Sequence, residues 1–319
     1  MSYPKLVFFV SGVVLFAVRF LSAVEEERDF LGSYSLSDRQ FGTIVTVTVD
    51  STNRTIVTNA LPNHETGQFP NAGNPNTIRE QSLTYMYPVK PNYIGSARFA
   101  RIPGVAVNGV PFEPGTAESV VCESGESYRI EALQEVYDLG FDFNNAHVQP
   151  SGLYHYHGIS SLLVEVYDKG KDIVHIGFAA DGHLLYFSKG GNYQSSYKLS
   201  TSIRTGSDCM ASRAAGGVIV DVDGTNPDGT YDLDWIYEEG SGNLDACNGA
   251  TINGEYVYFL TNEYPYIPRC LNGEFAEVGQ SGPPPGGRGP GGPPPGGRGP
   301  GGPPPGGRGP GGPPPGGRG

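Results

Sequence analysis

Between Phe141 and Gly158 the chain reads FDFNNAHVQPSGLYHYHG, and few conformations satisfy that run. Pro150-Ser151-Gly152 has the composition of a three-residue hairpin loop, with Gly152 at the position that takes left-handed backbone. Counting outward from Ser151 pairs Gln149 with Leu153 and His147 with His155, and sets Asn145 against His157. Residues two apart on a strand share a face, so His155 and His157 project together while Tyr154 and Tyr156 project the other way. The Cα atoms of His155 and His157 are then about 7 Å apart, and the Cβ atoms of the opposed pair His147 and His155 lie roughly 5 Å apart. One hairpin thus presents three imidazoles on one face, a donor set suited to Cu or Zn. A bulge would shift this register by one. The competing reading is a Tyr-rich strand whose histidines only pack and hydrogen-bond.

The remaining pattern is also that of strands. Thr43–Val49 (TIVTVTV) alternates with period two and is rich in β-branched residues, and Thr55–Thr58 follows a turn at Asn53 as the second arm of a hairpin. Further strands are expected at Tyr93–Phe99, Val105–Val107, Leu162–Tyr167 and Ile173–Ala179, with a hairpin turning at Asp181-Gly182. Pro62–Pro75 reads as loop. Only Glu131–Asp138 (EALQEVYD) looks helical. Many short strands separated by turn signals predict a mainly β single domain, a sandwich or barrel-like fold with few short helices.

The run NNAHVQPSGLYHYHG resembles the signature of the YHYH-domain family. Further blocks match in order: LPNHETGQFP…NPNTI (residues 61–78), GFAADGHLLYF (177–187) and GSGNLDACNG…GEYVYFLTNEYPYIPRCLNG (240–273). Together they span roughly residues 40–273. The resemblance implies a secreted β-rich domain whose histidines are suspected of holding a metal, and it places His64 among the recurrent positions, as a fourth ligand beside His147, His155 and His157. The family block usually resembles GDLDECNG. Here Asn243 and Ala246 stand in place of acidic residues, which leaves Asp245 alone and weakens any carboxylate role for that segment.

The ends of the chain have their own character. Lys5, an apolar run from Leu6 to Val18 and the small residues Ser22 and Ala23 have the order of a secretory signal peptide, expected as residues 1–23, with an uncleaved anchor as the alternative. No later apolar stretch is long enough to span a bilayer. Residues 24–280 are expected to form the β domain. From Pro283 the unit PPPGGRGPGG repeats three times and PPPGGRG follows. Its period of ten excludes collagen, and none of its side chains can build a core, so residues 281–319 are expected to be disordered.

Four cysteines suit an exported chain, and four allow three connectivities. The short loop favours Cys247–Cys270, which leaves Cys122–Cys209. A Cys₄ zinc site is disfavoured because no C-x₂-C pair exists. Asn53-Arg54-Thr55 is an N-glycosylation acceptor, conditional on export through a eukaryotic route. Of 21 basic side chains, six (Lys5, Arg19 and four tail arginines) lie at the ends, so the body sets 15 against 33 acidic ones, a net near −18. Such a body argues against nucleic-acid binding. The arginines of the tail are suited to anionic extracellular polymers or matrix components. Asp221–Gly229 resembles a calcium loop but fails the EF-hand template, since Asn226 stands where glycine belongs; Ca is therefore less favoured than Cu or Zn.

Three functional classes fit. One is a secreted transition-metal protein, extending to an oxidative or hydrolytic metalloenzyme, in which Asp181 could approach the histidines as a carboxylate. Another is a structural cell-wall or extracellular-matrix protein. The third is a carbohydrate-binding module using the tyrosines of Tyr256–Tyr266. No G-x-S-x-G, H-E-x-x-H or nucleotide-binding glycine motif occurs, so no named enzyme class has positive support.

Overall fold

A computed structural model of the chain describes residues 30–276. The expected signal peptide and the repeat segment lie outside the described residues. The first strands are β1 (Tyr34–Ser37), β2 (Ile44–Val49), β3 (Asn53–Thr58), β4 (Leu83–Pro88), β5 (Tyr93–Phe99), β6 (Gly104–Ala106) and β7 (Pro111–Phe112). After β8 (Ser119–Cys122) and β9 (Ser127–Arg129) come the hairpin strands β10 (Ala146–Val148) and β11 (Tyr154–Tyr156), then the helix α1 (Ser161–Tyr167). The chain continues through β12 (Ile173–Ala179), β13 (Leu184–Ser188), β14 (Tyr197–Leu199), β15 (Cys209–Ala211) and β16 (Ile219–Val220). It ends with β17 (Trp235–Tyr237), β18 (Gly249–Ile252), β19 (Glu255–Leu260) and β20 (Cys270–Gly273).

The fold is mainly β. Its largest sheet has eight strands in the order β10-β11-β7-β6-β12-β13-β19-β18, and β1 to β4 form a four-stranded meander. One hydrophobic core joins the two. Val45, Val47, Ile56, Tyr85 and Tyr87 from the meander share it with Phe112, Tyr154, Tyr156, Ile176, Phe178 and Tyr258 from the large sheet. The alternation of β2 explains its part: Val45 and Val47 are buried while the residues between them face out. A second buried cluster, with Val120, Tyr128, Ile130 and Tyr231, lies at the sheet of β16-β15-β8-β9. No closed barrel forms among the described residues, so the barrel-like alternative is set aside.

Two local expectations are overturned. The segment Leu162–Tyr167, expected as a strand, is the helix α1. Ser160 caps it by accepting from the Leu163 N–H, and Leu163, Val164 and Tyr167 fall on one buried face. That i, i+1, i+4 face and the cap outweigh the β preference of its valines. Glu131–Asp138 is not helical. There the Gln134 side-chain oxygen accepts from the Val136 and Tyr137 N–H groups, and this local bonding replaces a helical ladder. After the Tyr256–Tyr266 stretch, β20 closes the described strands and pairs with β5.

Both disulfides are formed, Cys122–Cys209 and Cys247–Cys270, the connectivity favoured above, and no described cysteine is free. The first joins directly opposed residues of β8 and β15. With all four cysteines bonded, a Cys₄ zinc site is excluded. Asn53 opens β3 and is half-buried. No helix among the described residues is long and apolar enough to cross a membrane.

Candidate metal centre

The hairpin forms in the register that its loop dictates. Ala146 pairs with Tyr156, His147 with His155 and Val148 with Tyr154. Gly152 has φ +91°, and a Cβ there would lie 2.6 Å from the Arg79 side chain, so both backbone and space demand glycine. The ladder is extended by the Gln149 N–H donating to Leu153 O at 2.9 Å and the His157 N–H to Asn145 O at 2.7 Å. Tyr154 and Tyr156 turn into the core, and the three histidines occupy the other face.

The three imidazoles form a nearly regular triangle, with ring centroids 4.7 Å apart for every pair. One nitrogen from each lies within 4.8 Å of the others. His147 Nδ1 donates to the Leu139 carbonyl at 3.0 Å and His155 Nδ1 to the Leu153 carbonyl at 3.3 Å. A carbonyl oxygen can only accept, so both rings carry their proton on Nδ1 and present a lone pair at Nε2. Nε2 of His157 lies 3.2 Å from Nε2 of His147, close to the roughly 3.3 Å that two bonds of 2.0–2.1 Å on one tetrahedral ion would give. Without an ion, the same distance is a hydrogen bond with His157 as donor. His157 Nδ1 is buried without a partner.

The surroundings keep the rings neutral. Burial, reinforced by the neighbouring His155, pushes His147 down to about 4. Burial does the same for His155, also to about 4, with the Arg101 charge adding to it. His157 is held well below the usual imidazole range by burial and by its two neighbours. Phe141 covers the group, stacked on His147 at 4.3 Å and edge-on to His157 at 4.9 Å.

Two side chains on the same face were not anticipated. Glu113 follows β7, whose Phe112 pairs in parallel with Tyr156 of β11, and its N–H donates to Tyr156 O at 2.9 Å. Its buried carboxylate comes within 3.9 Å of His155 Nε2. Gln149, two residues beyond His147, donates its amide Nε2 to both Glu113 oxygens at 2.8 Å. The period-two count could have placed Gln149; nothing local marks Glu113.

Other expected site residues lie elsewhere. His64 is not in the group. Its Nδ1 donates to the Glu65 carbonyl at 2.9 Å and its Nε2 accepts from Tyr156 OH at 2.6 Å, on the tyrosine face of β11. Asp181 is buried at its turn, accepting from Tyr258 OH at 2.6 Å and the Gly273 N–H at 3.0 Å. His183 Nδ1 donates to Tyr256 O and His175 Nε2 to Gly177 O. Asp245 accepts from the Cys247 and Gly249 N–H groups and from Tyr256 OH, a structural task. The Asp221–Gly229 segment gathers no metal-ligand group; Arg204 grips it, bonding Asp228 at 2.5 Å and the adjacent Asp234 at 2.6 Å. The late tyrosines are largely occupied inside the fold: Tyr258 is buried, and Tyr264 stacks on Trp235 at 4.5 Å.

The family model described as YHYH protein matches residues 84–273, more than half of the chain. The protein belongs to the YHYH family, and its His147, His155 and His157 lie inside the matched region. No curated protein matches the chain, and no solved structure matches it.

Proposed function

We propose that this protein binds one transition-metal ion, Zn or Cu, through Nε2 of His147, His155 and His157. One observation carries the reading: His147 and His155 give their Nδ1 protons to backbone carbonyls, so their lone pairs and the His157 nitrogen converge. Outer hydrogen bonds of this kind are how metal-ligating histidines are usually oriented. Three imidazoles fill three of the four positions of a tetrahedral ion, and what takes the fourth separates a structural centre from a catalytic one. The two disulfides support a working environment outside the reducing cytosol. We extend the reading to the arginines of the repeat tail, which would tether the acidic domain to anionic extracellular polymers. Retention on such a polymer should fall when the chain is ended at Gln280, and equal retention would remove that part.

Elemental analysis of the exported protein tests the centre. One equivalent of metal is expected. Less than about a tenth of an equivalent after supplementation sinks the reading, since folded sites of this kind bind tightly. The histidines would then be a hydrogen-bonded structural cluster.

A further inference from the structure

Glu113 raises a question that the histidines alone leave open. It is 6 % exposed, and among the described residues no lysine or arginine lies within ion-pair distance of its carboxylate; His155 is its one such neighbour, at 3.9 Å. The charge of Arg101 reaches it only from beyond ion-pair distance, so the cost of burying the carboxylate is offset only in part, and a neutral imidazole adds nothing to that offset. Among the described residues its side-chain hydrogen-bond donor is the amide of Gln149. The carboxylate, its amide and the three imidazoles therefore share one face of three adjacent strands, β10, β11 and β7.

We propose that Glu113 is the anionic fourth member of the metal site, held in place by Gln149, and that the site therefore takes a divalent ion such as Zn²⁺ in preference to Cu⁺. This rests on the three-histidine reading above. The charges support it: three neutral imidazoles leave a divalent ion with its full +2 in a buried place, and one carboxylate halves that. Oxygen donors also favour harder divalent ions, whereas Cu⁺ gains little from them. The Gln149 N–H would steady one carboxylate oxygen while the other turns to the ion, the usual task of an outer-shell partner. A site closed by four protein ligands is of the structural kind, so the ion's work would be to fix the edge of the large sheet.

The test titrates Zn²⁺ and Cu⁺ separately into the full chain and its Glu113→Gln variant, using competing chelators, and records the visible spectrum of the Co²⁺ form. Glu113→Gln should weaken Zn²⁺ binding at least tenfold, shift the Co²⁺ bands and leave Cu⁺ affinity within about twofold. If the parent binds Zn²⁺ and the variant binds it equally with an unchanged Co²⁺ spectrum, the Glu113 assignment is wrong and the three-histidine centre stands. A parent that binds no metal overturns both. Should Glu113→Gln fail to fold, the infrared difference between Zn²⁺-loaded and metal-free parent decides: a shifted carboxylate band is expected, and its absence overturns the assignment.

Discussion

His147 and His155 stand directly opposite each other on β10 and β11, with ring centroids 4.7 Å apart. Each gives its Nδ1 proton to a main-chain carbonyl, so neither ring can turn without losing a hydrogen bond. The pair is preset as two lone pairs on one side of the sheet.

Replacing His147, His155 or His157 with Ala, one at a time, should each abolish stoichiometric metal. His64→Ala and His183→Ala should retain it, because both rings are bonded elsewhere. Metal content of identically dialysed variants checks this. Loss of metal in His64→Ala would mean that the loop of residues 62–75 reaches the centre in solution.

The metal-free protein should lose stability in mild acid. Burial holds His147 and His155 at about 4 in the folded chain, against about 6.5 when unfolded. Between those values the unfolded chain binds more protons, so the stability these rings contribute is whole above pH 6.5 and falls away as pH drops to about 4. Each unit is worth about 1.4 kcal/mol, giving a total on the order of a few kcal/mol. Urea midpoints at pH 7, 5.5 and 4.5 should decline, and His147→Asn should decline less.

Tyr156→Phe should destabilise the fold without touching the metal. Its hydroxyl donates to His64 Nε2 at 2.6 Å and accepts from Asn108 Nδ2 at 3.0 Å. Removing it leaves the buried His64 Nε2 unpaired and the Asn108 amide with only its bond to Asn63 Oδ1, a cost of about 1–3 kcal/mol. Thermal melts together with metal content separate the two effects, and a variant that loses its metal would contradict the division of faces.

Arg204→Ala should cost about 3–5 kcal/mol, since it takes the cation from the buried Asp234 carboxylate, which keeps only the Gly229 and Tyr231 N–H groups. Added Ca²⁺ should leave the parent's Tm unchanged, because the guanidinium already holds Asp228. A calcium-dependent rise in the parent would restore the calcium loop.

What the sequence disclosed was local. The histidine register followed from a three-residue loop, a glycine and a period of two, and β5 and β12 from their β-branched and aromatic runs. The helix α1 was hidden because its two valines favour strands, and its cap at Ser160 is one residue among many serines. Glu113 was invisible for a different reason: β7 meets β11 in parallel, and parallel neighbours leave no loop to count from. His64 was misplaced because recurrence of a position does not say which face of a strand it serves.

The strand Tyr154–Tyr156 and its continuation to His157 carry two messages in alternate letters. Tyrosines are spent on the core and histidines on the opposite face. One residue inserted or deleted between Leu153 and His157 would exchange them, driving imidazoles into the hydrophobic interior and phenol rings toward Glu113. The chain can therefore vary the two faces by substitution, one at a time, but it cannot change its length here without forfeiting both.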